Sequence, residues 1–316
     1  MRKHTKSIVL SIIAIAGIML FLLYGLTERN AGYFIPLRMT KIIAILLVSY
    51  CIGYSSVVFQ TITSNRILTP SVMGLDSLYM FIQTVIVFFF QSKALVQMKG
   101  VTNYIISILL MVGMSLLLNK IMFRGSSRNI YFLVLAGIVA GQFFSGLADF
   151  MQVLLDPNEF NILQGKMFAS FSNVNKSLLS ASIIIVVLCA IFSFRDIKQL
   201  DVLSLGSDNA INLGVDYKRL VRRTMIIVAI LISVSTALVG PITFLGIILV
   251  SLSRQISKTY KHSSLVLNAV LIGVIFLIYG LFIVEKVFSM GTTLSVIINF
   301  VGGIYFIFYM IKEGKS

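Results

Sequence analysis

A helix gains 1.5 Å per residue, so an apolar run of about 20 residues is long enough to cross the hydrocarbon of a bilayer. This chain repeats such runs almost without pause, at about 8–26, 41–62, 72–91, 101–121, 129–153, 177–194, 222–240, 242–253, 264–284 and 293–311. Backbone N–H and C=O groups find no water in hydrocarbon, which leaves only helices and closed barrels. Unbroken runs of this length read as helices. The expectation is an all-α polytopic membrane protein with about ten transmembrane helices. The eighth run is short and starts at Gly240-Pro241, where a proline in the first turn gives up an N–H that would have been unpaired anyway. Composition agrees: 58% of the 316 residues are hydrophobic and 12% charged, and the mean hydropathy is +0.99. A soluble chain could not cover that much apolar material with a wettable surface.

The net charge of +15 sits at the ends of the runs. With a cytoplasmic N-terminus, roughly eighteen Lys and Arg fall inside and eight outside, the direction the positive-inside rule demands. Both termini are therefore expected in the cytoplasm. Dropping the eighth run would move Arg254, Lys258 and Lys261 outside and weaken that split. No basic face interleaved with aromatics points to nucleic acid. The N-terminal Arg2, Lys3 and Lys6 precede a run, Ile8 to Leu26, too long for the apolar part of a signal peptide, so it reads as the first retained span. Cys51 and Cys189 lie within apolar runs without ligand spacing and read as packing residues.

Acidic residues narrow the mechanism. Asp149, Asp156, Glu159 and Glu285 fall at or beyond outer ends of runs, and Asp76 near the inner end of the third. None stands at the centre of a run, where ion-coupled transporters commonly hold one. An energy source other than an ion gradient is favoured. His4 and His262, the two histidines, fall in cytoplasmic segments, and no HExxH, intramembrane aspartate pair or Ser/Lys arrangement suggests an enzyme. Gln164-Gly165-Lys166-Met167 has the Gly-Lys of a phosphate loop, but Phe160 and Met167 stand where its first glycine and its Ser/Thr belong. The segment from Asp156 to Lys176 is too polar to span and is expected to fold on the outer surface with a short helix. Asn175-Lys176-Ser177 within it is a glycosylation sequon by pattern alone. The fifth run carries Gly137 and Gly141, a GxxxG that lets another helix approach, either within the chain or across a subunit interface.

One stretch cannot lie in lipid. Arg195 to Arg223 holds four Asp and six Lys or Arg between two apolar runs. Within it, Leu205-Gly206-Ser207-Asp208-Asn209-Ala210-Ile211-Asn212-Leu213-Gly214-Val215 matches, at every fixed position, the LGxxxAxxLGV loop of the permease subunits of the iron-siderophore and vitamin B12 class of ABC importers. Gly240-Pro241-Ile242-Thr243-Phe244-Leu245-Gly246-Ile247 through Arg254 is similar to that family's GxIxFVGLxxPHxxR, with Val250 and Ser251 in place of Pro-His, so the family's kink is not assumed there. Gln60, Asn65, Pro70 and Gly74 resemble QxxxxNPLAxPxxLG, with Arg66 at the first proline. The likeness covers nearly the whole chain.

The resemblance implies a type II importer fold, with residues 1–316 as a single transmembrane permease domain in a bacterial cytoplasmic membrane and 195–223 as its cytoplasmic coupling loop. Two permeases, the same or different chains, would pair with two cytoplasmic ATPases, while an extracytoplasmic binding protein delivers cargo. ATP and Mg would be used by the ATPases, with no cofactor bound directly by this chain. Leu205, Gly206, Asp208, Ala210, Leu213, Gly214 and Val215 would seat in the ATPase. The residues themselves fit: Leu203, Leu205, Ala210, Leu213 and Val215 make an apolar set too sparse to span, with Asp201, Asp208, Asp216 and Lys218 as a polar rim. Gly206 and Gly214 can flank a short helix. Arg38 and Lys41, where the family has RxxR, and Lys286 would meet acidic residues of the binding protein; interfacial snorkelling is the alternative. The family's pathway runs between permeases along the fifth span, which directs attention to Gly137, Gly141, Gln142, Phe143 and Phe144. A ferric siderophore is the expected cargo, with cobalamin or haem as alternatives and an ion-coupled secondary transporter as the rival class.

Overall fold

The computed structural model describes residues 2–97, 100–122, 130–172, 174–257, 259–288 and 291–313. Among them are thirteen α-helices, one 3-10 turn and no strand. The helices are α1 (Arg2–Leu23), α2 (Ala31–Ile62), α3 (Leu75–Gln97), α4 (Gly100–Met122), α5 (Ile130–Val153), α6 (Pro157–Met167), α7 (Lys176–Phe194), α8 (Ile197–Leu203), α9 (Ser207–Asn212), α10 (Tyr217–Val239), α11 (Leu245–Ser257), α12 (His262–Lys286) and α13 (Leu294–Glu313), with the 3-10 turn at Pro70–Met73. Lys99, Arg124, Arg128, Lys258 and Lys315, which enter the charge count above, lie outside the described residues.

Seven of these helices are long and apolar enough to cross a membrane: α1, α2, α4, α5, α7, α10 and α12. The remaining expected spans coincide with shorter apolar stretches, Leu75–Phe90, Leu245–Ser257 and Leu294–Phe308. At 13 residues α11 rises about 20 Å, less than the roughly 30 Å of a hydrocarbon core. The turn before it is covered by the segment that follows α6: Ser170 N donates to Val239 O at 2.7 Å, and Ala169 and Phe171 are buried. A backbone carbonyl at the end of α10, just before that turn, thus finds its partner within the chain. The helix continues unbroken through Val250 and Ser251.

The second helix differs most from expectation. It begins at Ala31 rather than near residue 41 and runs through Pro36, so Arg38 is helical and Lys41 lies ten residues into the helix rather than at its start. It is also the centre of the fold, packed by α1, α7, α10, α11 and α12. Of its apolar window 83% is buried, against 17% for α1. A helix enclosed by protein can carry polar side chains, and α2 buries Ser49, Ser55, Ser56 and Gln60.

After α2 the chain turns back into the protein. The 3-10 turn and Gly74, which has φ +74°, wedge against α5: a Cβ on Gly74 would stand 2.7 Å from Gly141 Cα, and one on Gly137 would stand 2.8 Å from Met73 Cα. This refolding carries Asp76 away from the inner end where sequence placed it. Its Oδ1 accepts from Thr236 Oγ1 at 3.2 Å, and Thr236 is about 20 Å of helix rise beyond Arg223 on α10. Asp76 is thus deep among the helices.

Candidate functional site

The polar stretch between α7 and α10 folds into the two short helices α8 and α9. Gly206, at φ +102°, closes α8 and opens α9, and Gly214, at φ +87°, follows α9; both backbones lie where a side chain would be strained. Asp216 then caps α10, its Oδ1 accepting from Arg219 N at 3.1 Å. The apolar residues divide into two sets. Leu200, Leu203 and Ala210 are buried against the chain's own helices, whereas Leu205 and Leu213 are 60% and 64% exposed. Val215 and Gly206 are partly buried, while Asp208 and Gly214 are exposed. The outward surface is therefore Leu205, Asp208, Leu213 and Gly214. Ala210 supports it from beneath.

Two buried contacts anchor this stretch to the helical core. Arg223 Nε donates to Asp196 Oδ2 at 2.9 Å, and its Nη2 reaches Oδ1 as well, a two-pronged pair around a carboxylate with no exposed surface. Asp201, expected at the polar rim, instead turns inward. Its Oδ1 accepts from His262 N at 2.6 Å and pairs with His262 Nδ1 at 2.7 Å. A carboxylate only accepts, so the ring proton is on Nδ1. On the ring's other side Nε2 meets Thr61 Oγ1 at 2.8 Å. One imidazole thus joins α8, the start of α12 and the end of α2. Sequence inspection missed this group, because His262 stands alone and far from Asp201 and Thr61 in the chain.

At the opposite end, the basic residues expected to dock a binding protein are engaged by the chain itself. Arg38 Nη1 donates to Leu22 O and Tyr24 O, both at 2.8 Å, satisfying carbonyls left open at the end of α1. Its guanidinium lies 5.6 Å from the Phe34 ring centroid. Lys41 Nζ pairs with Glu285 Oε1 at 2.6 Å, the two side chains only 16% and 14% exposed. Lys286 Nζ lies 5.5 Å from the Tyr24 ring centroid. Lys41→Met is expected to destabilise the folded permease by about 3–5 kcal/mol, since it strands a buried carboxylate. The double variant Lys41→Met/Glu285→Met should recover most of that loss, as measured by thermal unfolding in detergent.

The glycine pair on α5 is occupied within the chain, Gly137 and Gly141 being buried against the 3-10 turn and Gly74. Phe144 packs on Phe81, centroids 5.5 Å apart. Gln142 and Phe143 face outward instead, Phe143 61% exposed.

Comparison with known proteins decides what this architecture is. The model of the FecCD transport family matches residues 6–312. The chain belongs to the FecCD transport family. As a FecCD protein it is a permease, a multi-pass membrane subunit that transports rather than catalyses. It is 55% identical over 316 residues to the petrobactin import system permease protein YclO of Bacillus subtilis, covering 100% of both chains. It is 36% identical over 321 residues to the petrobactin import system permease protein FatC of Bacillus anthracis, covering 99% of this chain and 91% of that one. A second Bacillus subtilis protein, the petrobactin import system permease protein YclN, is 24% identical over 301 residues, covering 92% and 90%. Among solved structures, an inward-facing putative metal-chelate type ABC transporter superposes with a TM-score of 0.84 at 21% identity, covering 98% of this chain and 99% of that one. That likeness shows a shared fold.

Proposed function

We propose that this permease imports a ferric siderophore of the petrobactin kind, delivered by a binding protein and driven by cytoplasmic ATPases that supply all the ATP and Mg chemistry. The observation that carries the reading is full-length identity of 55% to a permease of petrobactin import. In this reading residues 1–316 form one permease domain with ten membrane-crossing segments, the three short apolar helices completing the count, and both termini are cytoplasmic. The stretch 195–223 is the coupling loop, with Leu205, Asp208, Leu213 and Gly214 on the ATPase and Ala210 and Val215 as its support. Arg38 and Lys286 face the binding protein, while Lys41 holds α2 to α12. The exposed face of α5 with Gln142 and Phe143 meets the second permease and borders the pathway.

The second permease is a different chain in this proposal. Two Bacillus subtilis permeases of petrobactin import resemble this protein to very different degrees, 55% and 24%, as two unlike halves of one transporter would. ATP binding would draw the two ATPases together and carry α8 and α9 with them. Asp201–His262–Thr61 would pass that movement to α12 and α2.

The test is co-purification from the native host followed by uptake of iron-59-labelled ferric petrobactin into reconstituted vesicles. Recovery of an ATPase, a second distinct permease and ATP-dependent uptake is expected. Uptake that follows an imposed ion gradient and ignores ATP would overturn the reading.

A further inference from the structure

We propose that the open cavity between the start of α1, the end of α11 and the start of α12 holds the headgroup of one anionic phospholipid. The cavity measures about 350 Å³, and its lining combines one lysine, Lys261, with five hydroxyl residues and Leu267. The volume is within the roughly 300–1,000 Å³ typical of small-molecule sites. The three helices around it are pinned to one another. Ser7 Oγ donates to Asn268 Oδ1 at 2.8 Å, and Asn268 Nδ2 donates to Ser257 Oγ at 2.7 Å, so one buried amide ties α1 and α11 to α12. Walls held in place this way spare a ligand the cost of ordering them.

The polar lining is a set of hydrogen-bond donors. Lys261 is exposed, and among the described residues no carboxylate pairs with it. No Asp or Glu is among the described lining residues. Ser257 and Thr259 enter hydrogen bonds only as acceptors, from Asn268 and from the Lys261 backbone N–H. The hydroxyls of Ser263 and Ser264 have no partner among the described residues. An ammonium and four O–H groups are thus left to be satisfied from outside the chain, and Lys261 and Ser263 are open to solvent. A phosphate diester carries one negative charge and oxygens that only accept, which is the complement of this set.

The apolar side of the cavity selects a lipid over a free ion. Leu267 is 52% exposed and stands about 9 Å of helix rise beyond Lys261. On α1 the exposed Ile8, Ile12 and Ile15 form a stripe that starts one residue after Ser7. Both α1 and α12 are long and apolar enough to cross a membrane, so the cavity lies where two spans meet water, at the level of a phospholipid phosphate. Acyl chains can lead from it along the two apolar helix faces. Basic pockets between membrane helices recognise acidic headgroups in this manner.

The proposal takes from the functional reading only that these helix ends lie at a membrane surface, and its test requires no transport, so its failure leaves the import reading standing. Delipidated permease, alone and bound to its ATPase, is titrated in detergent with phosphatidylglycerol or phosphatidylcholine, and bound lipids are counted by native mass spectrometry. Wild type is expected to hold one phosphatidylglycerol about fivefold or more tighter than phosphatidylcholine, and Lys261→Gln and Ser263→Leu should each weaken phosphatidylglycerol by about that factor. Both positions are exposed, so neither substitution puts folding at stake. Lys166→Gln removes an exposed lysine on α6, outside the cavity, and should leave the affinity unchanged. Equal affinity in wild type, Lys261→Gln and Ser263→Leu would overturn the site, as would an equal loss in Lys166→Gln, the mark of general charge attraction. Displacement of the lipid by inorganic phosphate would assign the cavity to the free ion, and its loss on attachment of the ATPase would assign it to that protein; either result overturns the lipid assignment.

Discussion

Leu213→Asp is expected to reduce ATP-dependent uptake at least about a hundredfold while leaving membrane insertion and thermal stability close to wild type. Leu213 is 64% exposed at the end of α9 and Leu205 is 60% exposed just before it. A carboxylate at either position disturbs nothing inside the permease, so the cost appears only when the surface is desolvated by a partner. Burying an unpaired charge in an interface costs several kcal/mol, and about 3 kcal/mol is already a hundredfold in an equilibrium. The measurement is recovery of the ATPase with the tagged permease, followed by uptake. Ala210→Leu makes the contrast: Ala210 has no exposed surface, and overpacking there should lower stability by about 1–3 kcal/mol. Wild-type recovery and uptake with Leu213→Asp would remove α9 from the coupling surface.

Asp201→Leu separates assembly from transmission. Asp201 accepts from both the backbone N and the ring Nδ1 of His262, and it is on α8 rather than on the outward surface of α9. Its loss leaves two donors without their acceptor and frees the ring that also reaches Thr61. The expected result is an assembled transporter whose ATP hydrolysis continues but whose uptake falls at least about tenfold, a loss of the order of 2 kcal/mol in coupling. Asp201→Asn, which keeps an acceptor oxygen, should retain most of the uptake. If hydrolysis and uptake fall in proportion in Asp201→Leu, the contact only holds the fold together and does not relay movement.

The long apolar runs were legible because hydrocarbon leaves only helices and closed barrels to satisfy the backbone, and unbroken runs of this length fit a helix. The short helices were legible for a different reason: Gly206 and Gly214 mark positive-φ positions that bracket α9. What was not legible depends on contacts between distant residues. Nothing near Asp201 or His262 announces the other, 61 positions away. The depth of Asp76 was hidden because the chain turns back into the protein after α2, and a count of apolar residues registers length but not where a helix starts. The GxxxG gave close approach correctly without saying to what, and Gly137 and Gly141 meet Met73 and Gly74 of their own chain. The second apolar run starts at Lys41, but the helix begins at Ala31 and passes through Pro36, which draws Arg38 into α2.

The pair formed by Lys41 and Glu285 has a consequence for how the protein is made. The two residues are 244 positions apart, so the ammonium leaves the ribosome and enters the translocon long before its carboxylate exists. Throughout most of synthesis Lys41 must be held at the lipid headgroups by its flexible stem. It can withdraw to its final place only when α12 arrives. Closure of that pair is thus one of the last events of biogenesis, and a chain truncated before residue 285 would carry an unpaired cation by which membrane quality control could recognise it as unfinished.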